Sequence, residues 1–266
     1  MKYGKQKINN MKFLEAAKNK KHGSTHKLAS YYDAYDFHFG KLDREKKYNI
    51  LEIGVQQGGG LWTLKEFFPN SSITGLDIDP SCLLNLSYGK KNNSILVSSH
   101  NSGIVSFKQH ESKDDNIEMF IGSQSDEDLL EKIHKESGPF DIIIDDGGHT
   151  MKQQQVSFFK LFPLLQDDGL YVIEDLHTSY WPKFGGGVDV NNNMMYILKS
   201  IADKSTSRWA SRCNRAEPST NTAELDYFDH YIDSVHFHDS LCFIYKKYCT
   251  NITDMIENFK STCIRV

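Results

Sequence analysis

The sequence predicts a doubly wound α/β domain, in which helices cover both faces of a mostly parallel sheet. Short runs of Ile, Leu and Val alternate with helical stretches of about ten residues, a pattern typical of buried parallel strands and their crossover helices. Acidic residues follow four of the five apolar runs. The length of 266 residues and the hydrophobic content of 39% suit one large domain with a substantial core.

Five parallel strands are predicted, and each apolar run ends in glycine or in polar residues. The expected strands cover residues 48–55, 72–78, 117–123, 140–146 and 169–175. The intervening helices are expected at residues 61–69, 126–136 and 155–165, the first of which is stopped by Pro69.

Further elements are predicted outside these five units. An aromatic helix precedes the first strand, because Leu28, Tyr31, Tyr32, Tyr35 and Phe39 fall on one helical face. A further helix is expected near residues 194–202. Residues 233–247 alternate in polarity and break at His238-Asp239-Ser240, which predicts a hairpin that closes the sheet in antiparallel fashion.

The predicted organisation is a single domain with additions. The first segment holds eight lysines against one acid, so it is expected to be a solvated basic arm. The expected segments are the arm at 1–27, the domain at 28–250 with a polar insertion at 86–116 and a lid or substrate region at 176–225, and a tail at 251–266.

Charge and hydropathy limit the expected partners and compartment. A formal net charge of −4 gives no overall positive field, so no nucleic-acid partner is expected. No apolar run is long enough for a membrane span, and no signal-peptide core is present at the start. A cytoplasmic protein is therefore expected, and a homo-oligomer remains open.

A nucleoside cofactor is predicted at the tips of the first two strands. Ligands of open parallel sheets bind beyond the carboxyl ends of the strands. Glu52, Gly54 and Gly58 follow the first strand with Gly-x-x-x-Gly spacing, which lacks the Gly-x-Gly-x-x-Gly pattern of a diphosphate cradle. Asp77 ends the second strand, where a carboxylate can accept hydrogen bonds from ribose hydroxyls.

A metal is predicted at the tips of the last two parallel strands. Asp145, Asp146, Glu174 and Asp175 would repel one another unless a cation neutralised them. Oxygen ligands without cysteine favour Mg²⁺, or Mn²⁺, over zinc. His149 lies near enough in sequence to serve as a general base in the same cleft.

Four motifs carry a resemblance to a known family: LEIGVQQGG, GLDIDP, DIIIDDGGHT and YVIEDLHTSYWPKFGGG. They resemble the metal-dependent class I S-adenosylmethionine O-methyltransferases that act on sugars such as macrolide deoxysugars, and cephalosporin hydroxylase-like proteins share them. The resemblance covers residues 22 to 247. It implies a Rossmann-like methyltransferase sheet with amino-terminal helices, and an acceptor that is a sugar or glycan.

The resemblance also implies roles for individual residues. The metal ligands would be Asp146, Glu174 and Asp175, and the catalytic residues His149 and Asp146. The cofactor residues would be Glu52, Gly54 and Gly58 at its methionine portion, Asp77 at its ribose, Gln124 at its adenine, and Asp145. The substrate would meet an aromatic lid that includes His177, Tyr180 and Trp181, since aromatic faces suit a sugar ring.

Three alternatives stay open at this point. The same fold and metal could act on a catechol or another phenol, which chelates Mg²⁺ through two oxygens. An NAD-dependent oxidoreductase is disfavoured by the missing diphosphate motif. A non-catalytic binding module is disfavoured because the acids and His149 are all present.

Overall fold

A computed structural model describes residues 11–20, 23–83, 96–99, 105–109, 117–207 and 227–248. The strands are β1 Asn49–Ile53, β2 Ser72–Asp77, β3 Leu96–Ser99, β4 Val105–Gln109, β5 Ile117–Ile121, β6 Ile142–Asp145, β7 Leu170–Ile173, β8 Ile232–Phe237 and β9 Cys242–Lys246. The α-helices are α1 Phe13–Asn19, α2 Ala29–Phe39, α3 Gly59–Phe67, α4 Glu127–Ser137, α5 Met151–Leu161, α6 Met194–Ser207 and α7 Tyr227–Tyr231.

The described strands form one sheet of nine, in the order β3-β4-β5-β2-β1-β6-β7-β9-β8. The five central strands, β5 to β7 in this order, are parallel, which confirms the predicted core. Strands β6 and β7 are buried at every position, as their unbroken apolar sequences predict. From β1, the parallel strands continue to one side as β2 and β5 and to the other side as β6 and β7. Ligands of such sheets bind at this switch point, which lies beside the β1 tip.

The amino-terminal helices pack onto the domain. In α1, Phe13 is 1% exposed and its ring stacks on Tyr35 of α2 at 4.7 Å between centroids, while Ala16 and Ala17 are also buried. The expected solvated arm is therefore wrong for residues 11–19; residues 1–10 and 21–22 lie outside the described part. The weak helical pattern around Met11, Phe13, Leu14 and Ala17 indicates a helix, but among so many lysines it does not show that the helix is buried.

The polar insertion expected at 86–116 contributes two strands to the sheet. β3 pairs antiparallel with β4, and β4 pairs antiparallel with β5. A surface loop was expected, apart from an irregular strand near residues 95–97. β3 lies at the edge of the sheet and β4 lies between β3 and β5. The insertion is rich in Ser, Asn, Lys and His, so it lacks the long apolar run that marks a buried parallel strand.

The carboxyl-terminal hairpin closes the other side of the sheet. β8 and β9 pair antiparallel, and β9 pairs antiparallel with β7, as predicted. Between β7 and α6 the chain forms two 3-10 helices, Leu176–Tyr180 and Pro182–Phe184. The rest of the predicted lid region, residues 208–226, and the tail lie outside the described residues. No helix in the described ranges is long and apolar enough to cross a membrane.

Candidate active site

A cleft of about 280 Å³ opens at the carboxyl ends of the parallel strands, at the predicted switch point. The tips of β1, β2, β5 and β6 border it, together with residues 24–27 from the segment before α2. The predicted site residues that line it are Glu52, Gly54, Asp77, Gln124, Asp146, His149 and Asp175. Two of these, His149 and Asp175, hold left-handed backbone angles with φ of 56° and 55°. Such conformations cost energy and concentrate at functional sites.

The β1 tip is shaped by close backbone contacts. Gly54 has a φ of 87°, and a side chain there would overlap the carbonyl oxygen of Asp146. Asp77 holds the loop from the β2 side, because its Oδ2 accepts hydrogen bonds from the backbone N–H groups of Val55 and Gln56, both at 2.8 Å. Gly58 is the N-cap of α3 and does not line the cleft, so its predicted direct contact with a cofactor is not supported.

Glu52 is a buried acid at the cleft floor. Its side chain lies so close to Gly60 that any Cβ there would overlap the carboxylate, which explains this glycine. Burial raises the pKa of Glu52 to about 8, although nearby Lys27 opposes the shift. Its Oε2 has no hydrogen-bond partner among the described residues. A buried, unpartnered acceptor at a cleft indicates room for a donor group of a ligand.

Asp145 serves a structural role and does not line the cleft. It is fully buried and accepts hydrogen bonds from Ser157 Oγ and from Gln124 Nε2, the latter at 2.9 Å. Gln124 in turn accepts a bond from the Gly148 N–H at 2.7 Å. Asp145 therefore positions the tips of β5 and β6, which corrects its predicted contact with the cofactor.

The carboxylates of Asp146 and Asp175 converge with the imidazole of His149. One ligand atom from each lies within 4.8 Å of the others, as in a metal-binding group. His149 Nε2 is 3.3 Å from Asp175 Oδ2 and 4.0 Å from Asp146 Oδ1. Two hard carboxylates facing a cleft fit a divalent cation of the Mg²⁺ type. The buried Nδ1 of His149 has no described partner.

Glu174 is next to this group but does not line the cleft. It is 1% exposed, and its Oε1 accepts hydrogen bonds from Tyr35 Oη and from Lys27 Nζ, each at 2.5 Å. Burial, followed by the charge of Asp146, raises the pKa of Glu174 to about 7. The structure thus differs from the predicted ligand set: His149 stands with Asp146 and Asp175 where Glu174 was expected.

The segment before α2 and the start of that helix supply residues that the sequence analysis did not assign to the site. Lys27 bridges Asp146 and Glu174, and the hydroxyl of Tyr31 donates a 2.6 Å hydrogen bond to Asp175 Oδ1. The sequence signal that could have indicated these residues is HGSTHK directly before the aromatic helix. The sequence analysis placed HGSTHK in the basic arm.

The predicted substrate residues lie on the 3-10 turns that follow Asp175. Tyr180 and Trp181 are 41% and 50% exposed, and the ring of His177 packs against Trp181. His177 Nδ1 lies 2.6 Å from Ser240 Oγ in the β8–β9 turn, which ties this segment to the hairpin. None of the three borders the cleft itself.

The sheet and its switch-point cleft are those of the class I methyltransferase fold. The MycE methyltransferase of the mycinamycin pathway, solved with Mg and SAH, superposes with a TM-score of 0.68 and 27% identity over 94% of this chain and 61% of that one. A second MycE structure, which also contains mycinamycin VI, gives a TM-score of 0.61 at 30% identity over 84% and 51%.

Sequence comparison points the same way. The chain is 32% identical over 222 residues to mycinamicin VI 2''-O-methyltransferase of Micromonospora griseorubida, covering 80% of this chain and 47% of the relative. It is 31% identical to demethylmacrocin O-methyltransferase of Streptomyces fradiae, covering 85% and 50%. The predicted resemblance is therefore confirmed, although the chain spans about half the length of these relatives. No protein-family model matches it.

Proposed function

We propose that this protein is an S-adenosylmethionine-dependent and Mg²⁺-dependent O-methyltransferase that acts on a hydroxyl of a sugar or glycan. The observation that carries the proposal is the shared cleft: a nucleoside-type pocket at β1 and β2 opens onto the Asp146, His149 and Asp175 group. The similarity to two O-methyltransferases supports it. We assign the described residues to one methyltransferase domain.

The cofactor would lie across the β1 and β2 tips. Asp77 would accept a hydrogen bond from a ribose hydroxyl, since a carboxylate has about four acceptor sites and the backbone N–H groups of Val55, Gln56 and Asp79 use three. Glu52 would face the methionine portion and Gln124 the adenine side. Gly54 has no side chain, so the β1 loop passes close to the backbone of Asp146 at the β6 tip. The cofactor side of the cleft therefore adjoins the metal side.

The metal would be held by Asp146 and Asp175. Glu174 would be a further ligand if the ammonium of Lys27 moved away from its carboxylate. A divalent cation there supplies the positive charge that lowers the pKa of an acceptor hydroxyl. Tyr31 steadies Asp175 through its 2.6 Å hydrogen bond, so one carboxylate oxygen stays directed toward His149.

His149 would take the proton as methyl transfer proceeds. Bound S-adenosylmethionine would supply an electrophilic methyl group to the acceptor oxygen and would leave as S-adenosylhomocysteine, with the electron pair of the broken sulfur–methyl bond. The acceptor proton moves to Nε2 of His149, which faces the same carboxylates and is 19% exposed at its side chain. Removal of the proton makes an otherwise weak hydroxyl nucleophile competent.

The acceptor would enter beneath the lid, where Tyr180 and Trp181 offer exposed aromatic faces for the apolar side of a sugar ring. The test is release of S-adenosylhomocysteine with a matched panel of rhamnosides, other deoxysugar glycosides, and catechols. A sugar O-methyltransferase turns over glycosides and leaves catechols unchanged. Turnover of catechols alone would overturn the sugar assignment and leave the methyltransferase chemistry standing.

A further inference from the structure

Lys27 is a buried cation placed between two acids of the proposed metal site. Its Nζ lies 2.8 Å from Asp146 Oδ2 and 2.5 Å from Glu174 Oε1, and its side chain is 6% exposed. In the described part of the chain, no other lysine or arginine forms an ion pair with either carboxylate. This ammonium therefore supplies the fixed positive charge at the centre of the cluster.

Two carboxylates hold the ammonium of Lys27 in place, since its Nζ lies within hydrogen-bond distance of both Asp146 and Glu174. Without an ammonium or a metal, the buried carboxylate of Glu174 and the partly exposed carboxylate of Asp146 would stand close together with no compensating charge, which is unfavourable.

We propose that Lys27 is the internal counter-cation of this site: it holds Asp146 and Glu174 together before a divalent cation binds, and it lowers the affinity of the site for that cation. The inference rests on the proposed metal-dependent function. Its physical basis is that the ammonium and the metal ion compete for the same carboxylate oxygens, and that the two cations repel each other at short range.

The backbone around Lys27 has anchors of its own. Ser24 Oγ donates a hydrogen bond to Gln57 Oε1, and the imidazole Nδ1 of His26 lies 3.0 Å from Gln56 Oε1. These contacts tie the segment to the β1 loop independently of the Lys27 side chain. A substitution at Lys27 should therefore report on its charge, with the segment still in place.

The experiment is a titration of the full chain with Mn²⁺ alone, in which free Mn²⁺ is measured by electron paramagnetic resonance. Lys27→Gln keeps a hydrogen-bond donor and removes the charge, so Mn²⁺ should bind about tenfold more tightly or better than to the wild type. Lys27→Arg keeps the charge and should stay near wild-type affinity. Lys135→Met removes a lysine that is 69% exposed on α4 and serves as the matched control, with no expected change.

Thermal unfolding provides the second readout. Lys27→Gln should melt at a lower temperature than the wild type without metal and regain more of that loss when Mn²⁺ is added. Equal or weaker Mn²⁺ binding by Lys27→Gln, or tighter binding by Lys27→Arg as well, would overturn the counter-cation role. If wild type and Lys27→Gln both fail to bind Mn²⁺, the proposed metal site fails and takes this inference with it.

Discussion

Replacement of His149 separates proton removal from metal binding. The backbone of His149 has a φ of 56°, a conformation that costs most residues about 1 to 2 kcal/mol but that asparagine tolerates. His149→Asn is therefore preferable to His149→Ala, whose loss of activity would include a backbone change. The side-chain amide of asparagine has no basic nitrogen, so it cannot replace the proton acceptor Nε2, which lies 3.3 Å from Asp175 Oδ2.

The expected loss of turnover rate in His149→Asn follows from the usual contribution of a general base. Removal of one typically costs about 10² to 10⁴ in rate, equivalent to about 2.7 to 5.4 kcal/mol of transition-state stabilisation. Cofactor affinity should stay nearly unchanged, since His149 faces the carboxylates of Asp146 and Asp175. The residual rate should rise with pH, because hydroxide can replace a missing base.

The assay is S-adenosylhomocysteine release between pH 6 and 9, with Mn²⁺ binding measured in parallel. His134→Asn is the control histidine substitution, because His134 lies on α4 and does not line the cleft. Near wild-type turnover across the pH range would refute the base assignment. A large loss of Mn²⁺ affinity would instead make His149 a metal ligand, as its position within 4.8 Å of both acids permits.

Three further predictions test other parts of the account. Asp77→Asn should weaken binding of the cofactor product by about 1 to 3 kcal/mol, measured by calorimetry, because its Oδ2 also holds the β1 loop; unchanged affinity would remove Asp77 from the pocket. Trp181→Ala should raise KM for glycosides about tenfold while shifting stability by less than about 0.5 kcal/mol, since the ring is half exposed; an unchanged KM would exclude the lid contact. Burial, followed by the charges of neighbouring histidines and a lysine, lowers the pKa of His38 to about 3. The unfolded chain therefore binds the extra proton, and the free energy of unfolding should fall by about 1 to 2 kcal/mol between pH 6.5 and 5. In His38→Gln, the free energy of unfolding measured with urea should change less between pH 6.5 and 5 than in the wild type. An equal change in both proteins would show that His38 is not the group responsible.

The sheet was predictable because its signals are local. Unbroken apolar runs mark β1, β2, β5, β6 and β7, and the polar break at His238 marks the hairpin turn. Acids at the ends of parallel strands converge by topology, so the position of the candidate site followed from the strand pattern. β3, at the edge of the sheet, and β4 beside it carry no such run, and the sequence pattern indicated only an irregular strand near residues 95–97.

The orientation of adjacent acids was harder to predict. Asp145 is the last residue of β6 and turns into the protein toward Gln124, whereas Asp146 follows it into the cleft. Glu174 is likewise buried, and Asp175 reaches the cleft through a left-handed backbone turn. Asp146, Glu174 and Asp175 follow the last residues of their strands, so the alternation of side chains along a strand does not say which acid of each pair enters the cleft. Which one depends on where the strand ends, and sequence fixes that only to within a few residues.

Contacts between distant segments lay beyond sequence reasoning. Lys27 reaches Asp146 and Glu174 across 119 and 147 residues of chain. Lysines in a basic stretch are usually solvated, and the local signal that separates Lys27 from its neighbours is its place in HGSTHK directly before an aromatic helix. Only the packing of α2 against the sheet brings its ammonium to the acids.

The most direct test of the account is methyl transfer to a glycoside before and after removal of metal. After exhaustive dialysis against EDTA, formation of S-adenosylhomocysteine from S-adenosylmethionine should stop, and Mg²⁺ or Mn²⁺ should restore it. Asp175→Asn should stay inactive after the same addition while its fold is retained. Full turnover in EDTA would contradict the central claim that Asp146 and Asp175 hold a catalytic divalent cation.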